Sequence, residues 1–89
     1  MGARITMYST ATCPFCVRAE RLLHARGVAD IDKVRVDLDP AVRARMVELT
    51  GRRTVPQIYI GDTWVGGYEE LAALDNAGKL APMLVEATA

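Results

Sequence analysis

The sequence predicts an α/β fold in which a four-stranded mixed sheet has helices on both faces. Strand and helix patterns follow each other in the order β-α-β-α-β-β-α along the 89 residues. A helical stretch separates the first two strands, and parallel neighbours need such a crossover connection. A two-residue turn joins the last two strands, which makes them antiparallel. Element order and connection length together indicate this fold class.

The first strand and the first helix are predicted within residues 4–27. Residues 4–9 have the pattern of an apolar strand. Pro14 suits the first helical position, because the N–H that proline lacks would have no partner there. Gly27 is a typical residue at a helix end, so the helix should stop there.

A second strand and a second helix are predicted within residues 33–51. Residues 33–38 alternate apolar and polar side chains, as a strand does. Asp39 is the expected N-cap of the helix, with Pro40 in its first turn, and the helix should end near Gly51. The expected apolar face of this helix consists of Val42, Met46, Val47 and Leu49.

A β-hairpin is predicted next. Residues 55–60 form the third strand pattern, and Gly61-Asp62 makes a tight turn into a short return strand over residues 63–65. Because a two-residue loop closes the pair, the two strands should lie side by side.

Two helical stretches complete the chain. The Gly66-Gly67 turn precedes a helix expected from about residue 69 to residue 77, with Leu71 and Leu74 facing inward. A last helical stretch covers residues 80–86.

The only two cysteines of the chain lie where the first strand gives way to the first helix, in the run Cys13-Pro14-Phe15-Cys16. Cys13 is placed at or beside the helix N-cap, where free N–H groups and the helix dipole stabilise a negative charge. Such positions lower the pKa of a thiol below its free value of about 8.5. Cys16 lies one turn inside the helix and is the natural resolving thiol.

Three interpretations of this cysteine pair compete. A Cys-x-x-Cys motif beside a βαβ pattern indicates a thioredoxin-like redox domain. A zinc site needs about four ligands, whereas His24, the one histidine, lies about 12 Å farther along the same helix. A structural disulfide over so short a loop would stabilise little. We therefore interpret the pair as redox-active.

Two further segments suggest a binding site. Pro56 begins the strand beside the cysteine-bearing strand, either as an ordinary strand-start proline or with a cis bond that brings the Val55 backbone close to Cys13. The acidic residues of the segment 67–70 complement a helix dipole, and the N–H groups of the same helix start could hold a ligand carboxylate. Spacing alone leaves both pairs of alternatives open.

Composition and charge narrow the function classes. Hydrophobic residues make up 51% of the chain, which favours one packed domain over residues 1–89. Eleven basic and eleven acidic residues cancel, which argues against nucleic acid or an anionic membrane as partner. Without a spanning stretch or a signal sequence, a cytoplasmic location is expected. The Met1-Gly2 myristoylation pattern is rejected, because the first strand begins almost at once.

Three motifs occur together and in order: the Cys-Pro-Phe-Cys run, residues 54–58 (Thr-Val-Pro-Gln-Ile) and residues 66–70 (Gly-Gly-Tyr-Glu-Glu). With them the chain resembles a dithiol glutaredoxin, closest to the bacterial glutaredoxin 3 type, over about residues 4–85. The resemblance implies a thioredoxin fold and reduction of protein disulfides and glutathione mixed disulfides. It also implies glutathione as reducing co-substrate, with no bound cofactor and no metal.

The resemblance further implies partners and site residues. The protein partners would be disulfide-bonded or glutathionylated proteins, with ribonucleotide reductase among the candidates. The protein itself would act as a monomer. Cys13 would be the nucleophile and Cys16 the resolving thiol. Residues 54–56, with a cis proline, would pair with the glutathione backbone, and the helix start at residues 67–69 would hold its γ-glutamyl carboxylate. The implied glutathione-binding residues are Phe15, Arg53, Thr54, Val55, Pro56, Gly67, Tyr68 and Glu69.

The chain departs from the family pattern at three positions. Thr10 stands where members often have a lysine, Phe15 replaces a common tyrosine, and Glu69 replaces the usual aspartate. Arg53, or its neighbour Arg52, would supply the positive charge missing at Thr10. We expect these changes to alter affinity and rate rather than the reaction.

Two other functions share this fold. A redoxin dedicated to ribonucleotide reductase and reduced by a flavoenzyme would lack the glutathione site, and the segment 67–69 argues against it. An iron–sulfur carrier would share a cluster between two chains through Cys13 and two glutathiones. Pro14 argues against a carrier, because cluster-binding relatives usually have a smaller residue there.

Overall fold

A computed structural model describes residues 4–86, and the Met1-Gly2 pattern lies outside them. The sheet has the order β2-β1-β3-β4, with β1 parallel to β2 and antiparallel to β3, and with β3 antiparallel to β4. Helices lie on both sides of it, so the predicted fold class is confirmed. The elements are β1 (Ile5–Ser9), α1 (Pro14–Ala25), β2 (Ile31–Arg35), α2 (Pro40–Thr50), β3 (Gln57–Ile60), β4 (Thr63–Gly66), α3 (Tyr68–Asn76) and α4 (Leu80–Glu86).

The second strand begins and ends earlier than the alternation predicts. Because β1 ends at Ser9, opposite Arg35, the regular pairing of β2 with β1 stops at that residue. The Val36 N–H still donates to the Ser9 carbonyl at 3.0 Å, and the chain then turns away. Leu38, the last residue of the predicted strand, is 72% exposed. Periodicity locates the strand here, but pairing with β1 sets its ends.

The buried face of α2 differs from the predicted one at its C-terminal end. Met46 is fully buried as expected, whereas Leu49 is an exposed hydrophobic residue and Thr50 is buried in its place. The Thr50 hydroxyl donates to the Met46 carbonyl at 2.8 Å, which satisfies the polar group inside the protein. The prediction for Leu49 is therefore wrong.

The third strand starts at Gln57, two residues later than predicted. The preceding Val55–Pro56 peptide bond is cis, as the family resemblance implies. Proline has no N–H to donate to a neighbouring strand, so the regular ladder begins after it. Residues 54–56 therefore form a loop immediately before β3, called the cis-proline loop below.

The main hydrophobic core lies between the sheet and the helices α1, α3 and α4. It includes Cys16, so the second cysteine is part of the core while the first lies at its edge. None of the helices within residues 4–86 is long and apolar enough to cross a membrane. The buried members of the core are Ile5, Met7, Cys16, Ala19, Leu23, Ile58, Ile60, Leu71, Leu80 and Leu84.

Candidate active site

The two cysteines form a disulfide at the start of α1, with their Cα atoms 5.1 Å apart. Cys13 is the N-cap residue and is partly exposed, whereas Cys16 is only 5% exposed. The Cys16 N–H donates to the Cys13 sulfur at 3.1 Å, so a thiolate on Cys13 would receive a backbone hydrogen bond. An attacking group can therefore approach Cys13 more readily than Cys16.

The loop before Cys13 is held by a carboxylate from the end of β2. The Ala11 N–H donates to Asp37 at 3.2 Å, and Arg35 donates to both oxygens of the same carboxylate at 2.7 Å. The Arg35 guanidinium, and then the Ala11 N–H, hold the pKa of Asp37 far below its usual range. The carboxylate therefore stays ionised and keeps the loop backbone in place.

A small cavity of about 130 Å³ lies beside the disulfide, with Cys13 and Cys16 both in its lining. Glu20 and Lys33 also line it and form an ion pair at 2.7 Å. The hydrogen bond from Lys33 lowers the pKa of Glu20. An ammonium group thus reaches the side of the cysteine pair from β2, although Thr10 leaves the loop itself uncharged.

A larger groove of about 710 Å³ lies between the cis-proline loop and the start of α3. It brings together every predicted glutathione-binding residue except Arg53. The backbone carbonyl of Arg53 accepts a hydrogen bond from the Arg43 side chain on α2, at 3.3 Å. The groove lining consists of Phe15, Arg52, Thr54, Val55, Pro56, Gly67, Tyr68, Glu69, Glu70 and Ala73.

The cis-proline loop is anchored by a buried amide that the sequence analysis did not single out. Gln57 is fully buried, and its Nε2 donates to the Thr54 carbonyl at 3.0 Å. Its Oε1 accepts from the Trp64 indole N–H, also at 3.0 Å. Both ends of the amide are satisfied, so the loop is tied to β4. A glutamine next to a strand-start proline, among apolar residues, was the available signal.

Arg52 joins the two walls of the groove. Its guanidinium donates to the Glu70 carboxylate on α3 and lies 5.1 Å from the centre of the Trp64 ring on β4. At another part of the groove, the Phe15 and Tyr68 rings have centroids 6.2 Å apart. Charged and aromatic groups therefore face the same space.

The glutaredoxin family model matches residues 5–65 of the chain. The chain belongs to the glutaredoxin family. It is 50% identical over 80 residues to a glutaredoxin of Neisseria meningitidis serogroup B, covering 90% of this chain and 94% of the relative. It is 42% identical over 82 residues to glutaredoxin 3 of Escherichia coli K12, and the match covers 92% of this chain and 98% of the relative.

Solved glutaredoxin structures have the same fold as this chain. The buckwheat glutaredoxin–glutathione complex is 31% identical, with a TM-score of 0.87, and covers 98% of this chain and 81% of its own. A glutaredoxin from Brucella melitensis is 40% identical, with a TM-score of 0.80, over 93% of this chain and 89% of its own.

Membership of the glutaredoxin family confirms the resemblance and the thioredoxin fold that the three motifs imply. Glutaredoxins are thiol–disulfide oxidoreductases, and the Cys13–Cys16 disulfide provides the matching chemistry. The groove also contains Arg52, which the sequence analysis named only as the alternative to Arg53, and two residues that it did not assign to the site, Glu70 and Ala73. Their i, i+3 spacing on α3 was a signal for Glu70 and Ala73, because residues three apart share a helix face.

Proposed function

We propose that this glutaredoxin uses glutathione to reduce glutathione mixed disulfides and protein disulfides. The observation that carries the proposal is a partly exposed Cys13 in the same helical turn as Phe15, which lines a groove with the cis-proline loop and the start of α3. A nucleophilic sulfur and a peptide-sized groove therefore lie side by side. The solved complex of buckwheat glutaredoxin with glutathione supports the identity of the ligand.

Reduction of a glutathione mixed disulfide needs only Cys13. The Cys13 thiolate attacks the glutathione sulfur, a new disulfide forms, and the substrate leaves as a thiolate that takes up a proton. A second glutathione thiolate then attacks that sulfur and leaves as oxidised glutathione. Cys13 is thereby returned as a thiolate. One half of the oxidised glutathione comes from the substrate and the other from solution, so each turnover consumes one free glutathione.

Reduction of a protein disulfide also uses Cys16. The Cys13 thiolate attacks one sulfur of the substrate, and the Cys16 thiolate then displaces the substrate from the mixed disulfide. This leaves the Cys13–Cys16 disulfide that the structure contains. Two glutathione molecules reduce it and are themselves oxidised.

The lining of the groove supports roles for its other residues. The backbone of residues 54–56 would pair with the extended tripeptide, with Val55 opposite the cysteine part. The N–H groups at the α3 start, at residues 67–69, suit the γ-glutamyl carboxylate, because a helix N-terminus favours anions. Phe15 and Tyr68 would cover the apolar part of the ligand.

A coupled assay tests this function directly. The protein is given a glutathionylated peptide or a protein disulfide, with either glutathione and glutathione reductase or thioredoxin reductase as the source of electrons. We expect turnover with the glutathione system and not with thioredoxin reductase. The reverse result would favour the redoxin alternative. The monomeric state, the cytoplasmic location and the choice of protein substrate remain predictions.

Glutathione also has a carboxylate at its glycine end, which an arginine beside the cis-proline loop would bind. Variants of two adjacent arginines test which one does so. The groove lining supports Arg52 for this role in place of Arg53. A charge-assisted, two-point hydrogen bond is worth roughly 1.5–3 kcal/mol. Arg52→Ala should therefore raise the KM for glutathione about tenfold or more. Arg53→Ala serves as the matched control and should change it by less than about twofold. If only Arg53→Ala raises the KM for glutathione, the assignment from the sequence holds and Arg52 is excluded.

A further inference from the structure

The Glu70 side chain occupies groups that would suit the carboxylate of a ligand. Glu70 lies in the first turn of α3 and lines the groove. Its carboxylate accepts a hydrogen bond from the Arg52 guanidinium, which lines the same groove. Guanidinium groups hold carboxylates through paired hydrogen bonds and are the preferred side chains for this purpose. In the free protein, the guanidinium that could bind a ligand carboxylate is therefore already paired with the carboxylate of Glu70.

The same carboxylate also lies against the backbone at the start of α3. A Cβ built on Gly66 would be 2.7 Å from Glu70 Oε1, and one on Gly67 would be 3.8 Å from Oε2. The hydrogen bond from Arg52, and then N–H groups of Glu70 and Gly67, hold the pKa of Glu70 below its usual value, while its partial burial acts against this. The Glu70 carboxylate thus lies beside the start of α3, where a ligand carboxylate is expected.

This contact can be exchanged. The side chains of Arg52 and Glu70 are 45% and 37% exposed, and ion pairs of such exposure contribute little because water screens them. The Arg52 guanidinium is also supported by the Trp64 ring, at 5.1 Å from its centre. Arg52 can therefore remain at the groove while its anionic partner changes.

We propose that Glu70 is a specificity-determining residue, which occupies Arg52 in the free protein and yields it to a carboxylate of the bound glutathione moiety. This inference rests on the proposed function, since it assumes that the groove binds glutathione. A small anion would have to displace a tethered carboxylate with nothing else to compensate. A tripeptide also gains contacts with the cis-proline loop, so the exchange favours glutathione over small carboxylates.

Titration calorimetry with S-methylglutathione, whose blocked sulfur cannot react, tests the competition. Glu70→Gln removes the charge and keeps a side chain that can still accept a helix-start N–H. Removing the competitor should tighten binding about three- to fivefold, the range expected from an ion pair of this exposure. Glu48→Gln is the matched control, because Glu48 also pairs with an arginine, Arg45 at 3.8 Å, but lies on α2 outside the groove. It should leave the affinity unchanged.

A second measurement separates exchange from a general loss of negative charge. The Glu70 carboxyl group is titrated by carbon-13 NMR in the free protein and in the protein saturated with S-methylglutathione. If the ligand takes Arg52, the pKa of Glu70 should rise on binding toward its ordinary value of 4.5. If Glu70→Gln binds more tightly but the pKa of Glu70 stays low in the complex, the two carboxylates do not exchange and the proposal is wrong.

Unchanged or weaker binding by Glu70→Gln also overturns the proposal, because Glu70 would then support the site rather than compete for it. The wild-type titration tests the proposed function separately. If the wild-type protein binds no S-methylglutathione and turns over no glutathionylated peptide, the proposed function fails and the role of Glu70 fails with it. If wild-type binding is normal and only the Glu70 results disagree, the proposed function stands.

Discussion

Cys13→Ser is expected to abolish reduction of both glutathione mixed disulfides and protein disulfides. Cys13 is the partly exposed member of the pair, and both reaction sequences begin with attack by its sulfur. A serine hydroxyl at the same N-cap can still cap the helix, because serine is a preferred N-cap residue. The loss should therefore be one of chemistry, with the melting temperature of the reduced protein nearly unchanged.

Cys16→Ser should separate the two reactions. Mixed-disulfide reduction needs no second thiol on the protein, so most of that activity should remain. Protein-disulfide reduction should largely disappear, because nothing within the protein can then displace the bound substrate. The two rates are measured with a glutathionylated peptide and with a disulfide-bonded protein under the same glutathione supply.

Cys16 is part of the core, at 5% exposure, and behaves there as a small apolar residue. A serine hydroxyl in its place is more polar, and burying it without a partner would destabilise the protein. Cys16→Ala is therefore measured in parallel, since it introduces no new polar group. If both Cys16 variants are folded and as inactive toward the glutathionylated peptide as Cys13→Ser, the single-thiol route is wrong.

Much of the active site could be predicted because its parts depend on local chemistry. The position of Cys13 at the α1 N-cap follows from a cysteine immediately before a proline at a helix start. The cis bond before Pro56 was one of two open alternatives from the residues alone, and the family resemblance decided between them. The parallel and antiparallel pairings followed from connection length.

What the sequence could not decide involves contacts between distant segments. The end of β2 depends on where β1 stops, and no pattern within residues 33–38 contains that information. The choice between Arg52 and Arg53 depends on which side chain reaches Glu70, eighteen residues away from Arg52. The two arginines are adjacent and identical, so the sequence could not distinguish them.

Gly66→Ala is expected to destabilise the protein by about 2 kcal/mol or more. Gly66 has a φ of +114°, a conformation that residues with a side chain rarely adopt. Its added Cβ would also lie 2.7 Å from Glu70 Oε1 and 3.0 Å from Glu70 Cδ. Backbone strain and a steric clash therefore act together at this one position.

The adjacent Gly67→Ala is the matched control for stability. Gly67 has a φ of −91°, which any residue can adopt, and a Cβ there would meet the Pro56 carbonyl at 3.4 Å, an ordinary contact. Its unfolding free energy should change by less than about 1 kcal/mol, because reduced chain entropy offsets a poorer N-cap. Urea denaturation of the reduced proteins at one pH measures both variants. Equal losses at the two glycines would contradict the assignment of strain to Gly66.

The Glu70→Ala background divides the expected loss at Gly66 into its two causes. Glu70→Ala removes the carboxylate that the new Cβ would meet and leaves the φ of residue 66 as it is. If the clash contributes, Gly66→Ala should cost less in this background than in the wild type, and the difference is the coupling energy of the two positions. A remaining cost of roughly 1–3 kcal/mol is expected from the backbone conformation alone. If the full cost disappears with Glu70, the positive φ at Gly66 is not what makes this glycine necessary, and the side chain of Glu70 alone requires it.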